Sequence, residues 1–345
     1  MSEDKAKFKV EMSEKEKALE ATLKEIEKEC GAGSILRYGD GPPMKVEVHP
    51  TGLINLDLAL GVRGIPKGRI MEFYGAESGG KTTLALTIAG AIQAKGGNVA
   101  FVDAEHAFDP NWASLCGVDV DKILFSQPDH AEHALSVVEF LVKGGAVDLI
   151  IVDSVAALIP KVELEGEMGD VTVALQARLM SKALRRLTPI TGKSKSIIIF
   201  INQLRENIGS FGWGPKESTP GGRALKFYSS IRLDVRRFGA IKTGDKHIGN
   251  QVKIKVVKNK VAPPFKEVMI DLYFANGISK ESAIIDIGLQ NGIVVKKGAY
   301  LSFKKSATEE IAIGSSKLNS IERLINEPAL KEEILQNIFQ VLNWL

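Results

Sequence analysis

The chain has 345 residues, 44% hydrophobic and 25% charged, enough to bury one large core with smaller attachments. A formal net charge of +3 names no partner, so any basic binding surface has to be local. Two cysteines, Cys30 and Cys116, with no CxxC pair and no His/Cys cluster argue against a disulfide framework or a structural zinc site and suit a reducing compartment.

The N-terminal stretch MSEDKAKFKVEMSEKEKALE is too charged for a signal peptide. The apolar run SIIIFIN (196–202) is too short to span a bilayer. The expectation is a cytoplasmic protein with no membrane partner. Residues 13–30 predict a helix, with Ser13 and Glu16 as a capping box. Leu19, Leu23, Ile26 and Cys30 recur at helical spacing against a charged opposite face. Such a stripe needs a surface to cover it, on its own domain or on a neighbouring subunit. GAG (31–33) and GDGPP (39–43) punctuate the exit from this segment.

From about residue 44 short apolar runs alternate with helix-length segments. The runs are RIMEFYG (69–75), NVAFVDAE (98–105), DLIIVDS (148–154) and SIIIFINQ (196–203). Near-continuous hydrophobicity marks parallel strands covered on both faces. SSIRLDVRR (229–237), QVKIKVVKN (251–259) and EVMIDLYF (267–274) follow with little room for helices, which predicts an antiparallel extension of the same sheet. After ANGIS (275–279) a smaller tail begins, with helical stretches at 316–326 and 328–343. The expected fold class is α/β: a P-loop core with a mostly parallel central sheet, an N-terminal helical arm and a small C-terminal α+β domain. The expected boundaries are 1–42, 43–278 and 279–345.

GAESGGKTT (75–83) fits G-x-x-x-x-G-K-[ST] between a strand and the helical run LALTIAGAIQA, the context in which the pattern is a credible phosphate-binding loop. Glycines let successive backbone N–H groups turn around phosphate oxygens, and the helix N-terminus adds its positive partial charge. The expected nucleotide contacts are Gly75, Glu77, Ser78, Gly79, Gly80, Lys81, Thr82 and Thr83. Lys81 is placed to reach the β- and γ-phosphates and Thr82 to ligate Mg²⁺. Asp153, at the end of DLIIVDS, can hold that ion through water. FVDAEHAFDP (101–110) places acids at the sheet edge where ligands bind in open α/β folds. Glu105 is the candidate to polarise the attacking water. Asp103 has a structural alternative, and His106 reads as a loop residue. Gln203, ending the fourth strand, is placed to contact the γ-phosphate.

In order, GAESGGKTT, FVDAEHAFDP, LIIVDSVAALIP, ELEGEMGD, INQLRENIG, TPGGRALKFYSSIRLDVRR and KIKVVKNKVAPPFK closely resemble the bacterial RecA recombinases over roughly residues 30–300. The resemblance implies an ATP- and Mg²⁺-using enzyme that forms a helical filament on single-stranded DNA and pairs it with homologous double-stranded DNA. It also implies stimulation of SOS repressor self-cleavage. By position it assigns Lys81, Thr82, Glu105, Asp153 and Gln203 to the roles above, and Asp109 and Trp112 to the adenine. Tyrosine is frequent in the family where Trp112 stands, and tryptophan keeps the stacking surface.

By the same resemblance DNA meets two loops, at about 163–178 and 204–222. Arg178 and Arg185 follow the first. Arg205, Ile208, Phe211, Trp213, Gly221 and Gly222 belong to the second, with Lys216 as a further phosphate contact. Cations and glycine amides suit phosphates, and aromatics suit bases. Three departures stand out. Ala76 replaces the family's usual proline, Val173 replaces a frequent methionine, and the acidic C-terminal tail common in the family is missing. The resemblance also matches Lys258 and Lys260, in VVKNKVAPPF (256–265), to lysines that reach ATP on the adjacent protomer. A filament motor of the replicative-helicase or RadA type and a scaffold that has lost hydrolysis are the rival readings. The first lacks its linker domain or zinc motif here, and intact Lys81, Thr82, Glu105 and Asp153 speak against the second.

Overall fold

The computed structural model describes residues 14–31, 34, 35, 37, 46–167, 174–206, 217–306 and 308–344. It divides the chain into two units, Met1–Lys45 and Val46–Leu345. In the first, α1 (Glu14–Cys30) is the expected helix, and none of its residues is buried. Glu14 and Glu16 in its first turn and Lys28 in its last complement the helix dipole. The expected cap Ser13 lies outside the described residues.

The second unit opens with a two-strand ribbon, β1 (Val48–His49) with β2 (Ile65–Pro66), around α2 (Ile54–Leu60). Then β3 (Ile70–Gly75), α3 (Lys81–Gln93), β4 (Val99–Asp103), α4 (Pro110–Leu115), β5 (Leu124–Ser126), α5 (Ala131–Gly144) and β6 (Leu149–Asp153) alternate. α6 (Lys161–Glu165) and α7 (Leu175–Ser194) lead into β7 (Ile197–Gln203). A short ladder of β8 (Arg205–Glu206) with β9 (Glu217–Ser218) precedes α8 (Ala224–Tyr228). β10 (Ile231–Thr243), β11 (Lys246–Asn259), β12 (Glu267–Tyr273) and β13 (Gly277–Ile278) follow. The tail holds α9 (Lys280–Gln290), β14 (Val294–Lys297), β15 (Tyr300–Lys304), β16 (Glu310–Gly314), α10 (Lys317–Asn326) and α11 (Pro328–Val341).

Among the described residues the main sheet has nine strands in the order β13-β12-β11-β10-β3-β7-β6-β4-β5. From β10 to β5 every pairing is parallel, and β11, β12 and β13 are added antiparallel. This is the expected mixed sheet. Its central strands β3, β7, β6 and β4 are nearly continuous apolar runs because both faces are covered. Leu149, Ile151, Ile197, Ile199 and Ile201 pack on one side with Leu84 and Ile88 of α3. Ile150, Val152, Ile198 and Phe200 pack on the other with Leu135 of α5 and Leu184 of α7. The two-residue period of a strand makes this division automatic.

Two elements depart from expectation. The three-residue β5 was not foreseen. The β10–β11 hairpin extends to a tight turn at Gly244, φ +58°, so both strands run past the apolar pattern that predicted them. Their outer residues are largely exposed, and an exposed ribbon carries no hydrophobic signature. The tail forms a three-stranded sheet with a core of its own, centred on Phe303, Ile313, Leu324 and Ile334. Lys317 fastens it to the main sheet, with Nζ 2.9 Å from both Asp271 of β12 and Asp286 of α9. No helix among the described residues is long and apolar enough to cross a membrane.

One charged residue sits at the centre of the main sheet. Glu72 of β3 is fully buried. Arg232 Nε of β10 donates to its Oε2 at 2.5 Å, and Asn202 Nδ2 of β7 to its Oε1 at 3.1 Å. The Arg232 guanidinium also lies over the Tyr74 ring, 4.4 Å from its centroid. Removing one partner of such a pair strands a buried charge. Arg232→Leu is therefore expected to destabilise the fold by about 3–5 kcal/mol, read from urea unfolding. The double variant Glu72→Met/Arg232→Leu should recover most of that loss. Equal losses in the two variants would show that the charge is not what matters.

Candidate active site

The loop after β3 owes its glycines to a neighbour. A Cβ on Gly75 would lie 2.0 Å from the carbonyl oxygen of Val235 on β10, and one on Gly79 2.9 Å from it. Gly80, with φ +90°, caps α3 from the left-handed region. Lys81 opens α3, and its ammonium is buried. Nζ donates to the loop's own carbonyls, Gly75 O at 3.1 Å and Ala76 O at 2.7 Å. Burial pulls its pKa down, against the pull of Asp153, Glu105 and Glu77.

Three strand ends converge beside this loop. Asp153 ends β6 and accepts a 2.6 Å hydrogen bond from Thr82 Oγ1. Burial pushes its carboxyl up to about 6; the Thr82 bond opposes this, and Glu105 and Asp103 reinforce it. A buried carboxylate beside a hydroxyl is an all-oxygen donor pair suited to Mg²⁺. Asp103 ends β4, and its role is structural. It accepts from Ala107 N at 3.3 Å, Phe108 N at 3.1 Å and Gln127 Nε2 at 3.0 Å. Those bonds shape the turn that presents Glu105, with His106 at φ +56°. Glu105 Oε1 receives the Ser154 hydroxyl in a short hydrogen bond and Gln203 Nε2 at 3.0 Å. The turn of β4, the end of β6 and the end of β7 thus hold one carboxylate.

Two clefts flank these groups. One, of about 220 Å³, is lined by Thr82, Glu105, Phe108, Asp109, Trp112 and Asp153 among others. Asp109 spends Oδ1 on capping α4, accepting from Asn111 N and Trp112 N. The Trp112 indole donates to Thr83 Oγ1 at 3.1 Å, which ties the ring to the phosphate loop. The other cleft, of about 300 Å³, lies between Ser78–Thr83 and the residues Asn250, Val252, Leu272 and Phe274.

The two lysines lie elsewhere. Lys258 faces Arg232 across the hairpin, toward the end of the sheet opposite the phosphate loop. The hairpin's register shift falls between Val256 and Lys258, and Lys260 lies one residue past β11. Both converge on the C-terminal end of α8. Lys258 Nζ donates to Lys226 O at 2.7 Å and Phe227 O at 3.0 Å, and Lys260 Nζ to Phe227 O at 3.2 Å. Burial, then repulsion from Lys260 and Arg232, lowers the Lys258 pKa.

The family profile for the RecA N-terminal domain matches residues 17–279. The chain belongs to the RecA family. It is 51% identical over 332 residues to Protein RecA of Caldanaerobacter subterraneus subsp. tengcongensis, covering 96% of this chain and 95% of that one. It is 52% identical over 327 residues to Protein RecA of Thermus thermophilus, covering 94% of each. With Protein RecA of Streptomyces coelicolor the identity is 52% over 330 residues, or 96% of this chain and 87% of that one.

Of the residues that RecA resemblance assigns to DNA, Arg178, Arg185 and Arg205 are exposed. Gly221 and Gly222 have φ of +80° and +74° and pack on Val155 and Ala177. Gln176 ties this corner together: Nε2 donates to Val155 O at 2.8 Å and Leu158 O at 3.0 Å, and Oε1 accepts from Gly221 N at 3.2 Å. Ile208, Phe211, Trp213 and Lys216, and Val173 of the first loop, lie outside the described residues. The sequence reading missed Ser154, Asn250, Leu272 and Phe274. Ser154 stood next to Asp153 and could have been weighed. The other three reach the loop only through the β11–β12 pairing, in which Asn250 faces Leu272, and no motif encodes that register.

Asp153 gives a test with a definite sign. Its folded-state pKa is raised from 3.8 to about 6. Its contribution to stability is therefore full below about pH 4 and is lost as pH rises through 6. Asp57, pushed up to about 7 by burial, acts in the same direction. Asp153→Asn keeps an acceptor for Thr82 and removes the buried charge. Without nucleotide or metal, this variant should melt several degrees higher than the parent at pH 7.5 and lose stability less steeply between pH 4 and 6. An unchanged melting temperature would mean that the carboxylate is already compensated.

Proposed function

We propose that the convergent strand ends bind and hydrolyse ATP, and that Lys258 and Lys260 complete the same reaction on the neighbouring protomer of a filament. As a member of the RecA family the chain is a recombinase. It is a DNA-dependent ATPase that forms filaments on single-stranded DNA and exchanges strands with homologous duplex. By family it also promotes SOS repressor self-cleavage. A cytoplasmic location fits this work.

The observation that carries the site assignment is Glu105, held by Ser154 and Gln203 beside Lys81 and the Thr82–Asp153 pair. In this reading Lys81 leaves the carbonyls of Gly75 and Ala76 for the β- and γ-phosphates. The loop N–H groups and the start of α3 bind the phosphate oxygens. Trp112, tied to Thr83, stacks on the adenine, and the free oxygen of Asp109 can accept from its amino group. Thr82, and Asp153 through water, would hold Mg²⁺, which when bound neutralises charge on the phosphoryl oxygens. Glu105 orients the attacking water and takes its proton. Gln203 bonds both Glu105 and, once ATP is present, the γ-phosphate. It thereby links the occupancy of the site to Arg205 and the loop that follows.

Lys258 and Lys260 cannot serve Lys81's own site, since they lie toward the opposite end of the sheet. Paired on two carbonyls, they are preorganised to meet a phosphate presented by another chain, as an arginine finger does in trans. Arg178, Arg185 and Arg205 serve DNA phosphates. The second loop, with Ile208, Phe211, Trp213, Gly221 and Gly222, supplies base and backbone contacts. Hydrolysis that waits for a neighbour then explains why DNA, which assembles the filament, switches it on.

Two variants test this. Glu105→Gln should bind ATP normally and lose turnover by about 10²–10⁴-fold, measured as phosphate release with single-stranded DNA; parental turnover would remove Glu105 from its role. Lys258→Ala should bind ATP as the parent does when unassembled. Its DNA-stimulated turnover should fall on the order of 10³-fold. Normal stimulation would return the lysines to a purely structural part at the end of α8.

A further inference from the structure

A cavity of about 440 Å³ lies between the core and the tail. The core contributes Ile54 and Asp57 of α2, Ala91 near the end of α3, and Lys95 just beyond it. The tail contributes Lys280 and Ile284 of α9 and Leu335 and Phe339 of α11. None of its residues belongs to either cleft beside the phosphate loop. α11 turns Ile334 and Ile338 fully into the tail core, which leaves Leu335 and Phe339, one turn apart, partly buried on the cavity. With Lys331 they form one stripe, about 12 Å long at about 1.5 Å per residue. Phe339 stacks on Trp344, with centroids 5.9 Å apart and planes at 21°. Arg63 clamps that pair. Its guanidinium lies 5.4 Å from the Trp344 ring centroid and donates to Trp344 O at 3.1 Å and Asn343 O at 2.7 Å.

The rim of this apolar cavity is cationic. Lys95 and Lys280 are exposed there, and Lys280 Nζ lies 3.9 Å from where a Cβ on Gly52, another lining residue, would stand. Among the described residues neither ammonium forms a hydrogen bond or an ion pair. The acids that line the cavity are already committed. Glu281 Oε1 pairs with Lys331 Nζ at 3.0 Å. Asp57 accepts from Thr51 N at 2.9 Å, and burial pushes its carboxyl up to about 7, so at neutral pH it carries only part of a charge. A concave apolar wall with a few polar groups at one side is the form that small-molecule sites take. Two unpaired ammonium groups beside it select a negative head, and the wall selects an apolar body.

We infer that this cavity binds a medium-chain carboxylate, its chain laid against Ile284, Leu335 and Phe339 and its carboxylate at Lys95 and Lys280. The inference is independent of the nucleotide reading. A ligand seated there touches both α2 and α3 of the core and α9 and α11 of the tail, so its binding stabilises the docked tail by linkage.

The test titrates the full chain with sodium decanoate and with decylamine, both below their micellar concentrations, by isothermal titration calorimetry. Decanoate should bind one to one and raise the melting temperature, and decylamine should bind at least about tenfold more weakly. The double variant Lys95→Gln/Lys280→Gln changes two exposed side chains and should fold as the parent does. It should weaken decanoate about tenfold while its DNA-stimulated ATP turnover stays within about twofold. Leu335→Trp, which fills the cavity, should abolish decanoate binding; its melting temperature without ligand shows whether the fold survives. The inference is overturned if decanoate shows no saturable binding, or if decylamine binds as tightly, since the lysines would then select nothing. It is overturned too if the double variant keeps the parental affinity, or if a folded Leu335→Trp does, since the ligand would then lie elsewhere.

Discussion

The buried carboxylate of Glu72 is the constraint on which the rest of the site depends. It lies three residues before Gly75 on β3. Its partner Arg232 lies three residues before Val235 on β10, whose carbonyl leaves Gly75 no room for a side chain. Its second partner, Asn202, precedes Gln203 on β7. A charge that would be costly to strand therefore locks three adjacent strands in register. The ends of those strands carry the phosphate loop and the amide that holds Glu105. A slip of one residue in any of these strands would unpair Glu72.

The same residues reach the far parts of the machinery. Asn202 also donates to Pro220 O at 3.1 Å, near the end of the second loop proposed to meet DNA. Gly221 is held by Gln176 at the start of α7, the helix that follows the first loop. Two residues beyond Gly222 begins α8, whose last carbonyls hold Lys258 and Lys260. Lys258 in turn faces Arg232. The segment from Pro220 to Ser230 is thus bonded at one end to the strand carrying Gln203 and at the other to the lysine pair. A lysine that moves to a phosphate gives up α8 carbonyls, and a shift of Pro220 pulls on Asn202. These are direct hydrogen bonds, not mere proximity, which is the kind of contact that can carry coupling between sites.

How much of this was legible in the sequence depended on whether the signal was local. RIMEFYG and DLIIVDS announced buried strands because both faces of the sheet are covered. The loop motif announced itself because its glycines, lysine and threonine are consecutive. Glu105, Asp153 and Gln203 could be placed because each ends an apolar run. The pairings that complete the site were hidden. Glu72 reads as a stray acid inside an apolar strand, and only the neighbouring position of β10, 160 residues on, reveals Arg232 as its partner. Asn250 of β11 and Phe274, one residue past β12, are ordinary residues until the register is known. The lysine pair was legible only through the resemblance, and what the sequence could not show is that both ammonium groups meet at the end of α8.

Buried charges in this chain fall into two kinds, and the difference separates scaffold from site. Asp271 is buried, which alone would raise its pKa, yet hydrogen bonds from Ser282 and Lys317 and the charge of Lys317 hold it below the usual carboxylate value. Its own chain has completed it. Asp153 and Lys81 are left incomplete: one carboxylate with a single hydroxyl donor and a raised pKa, one ammonium with only carbonyls and a lowered pKa. Each is displaced toward its neutral form by burial, which outweighs their mutual attraction. A raised acid alone would not suffice, since Asp57, within α2, is raised further, to about 7, by burial. What marks the site is a buried acid with a raised pKa and a buried lysine with a lowered one at one sheet edge, a combination suited to a metal–phosphate complex. Ligand binding there relieves both costs together, so the fold itself should favour the occupied state.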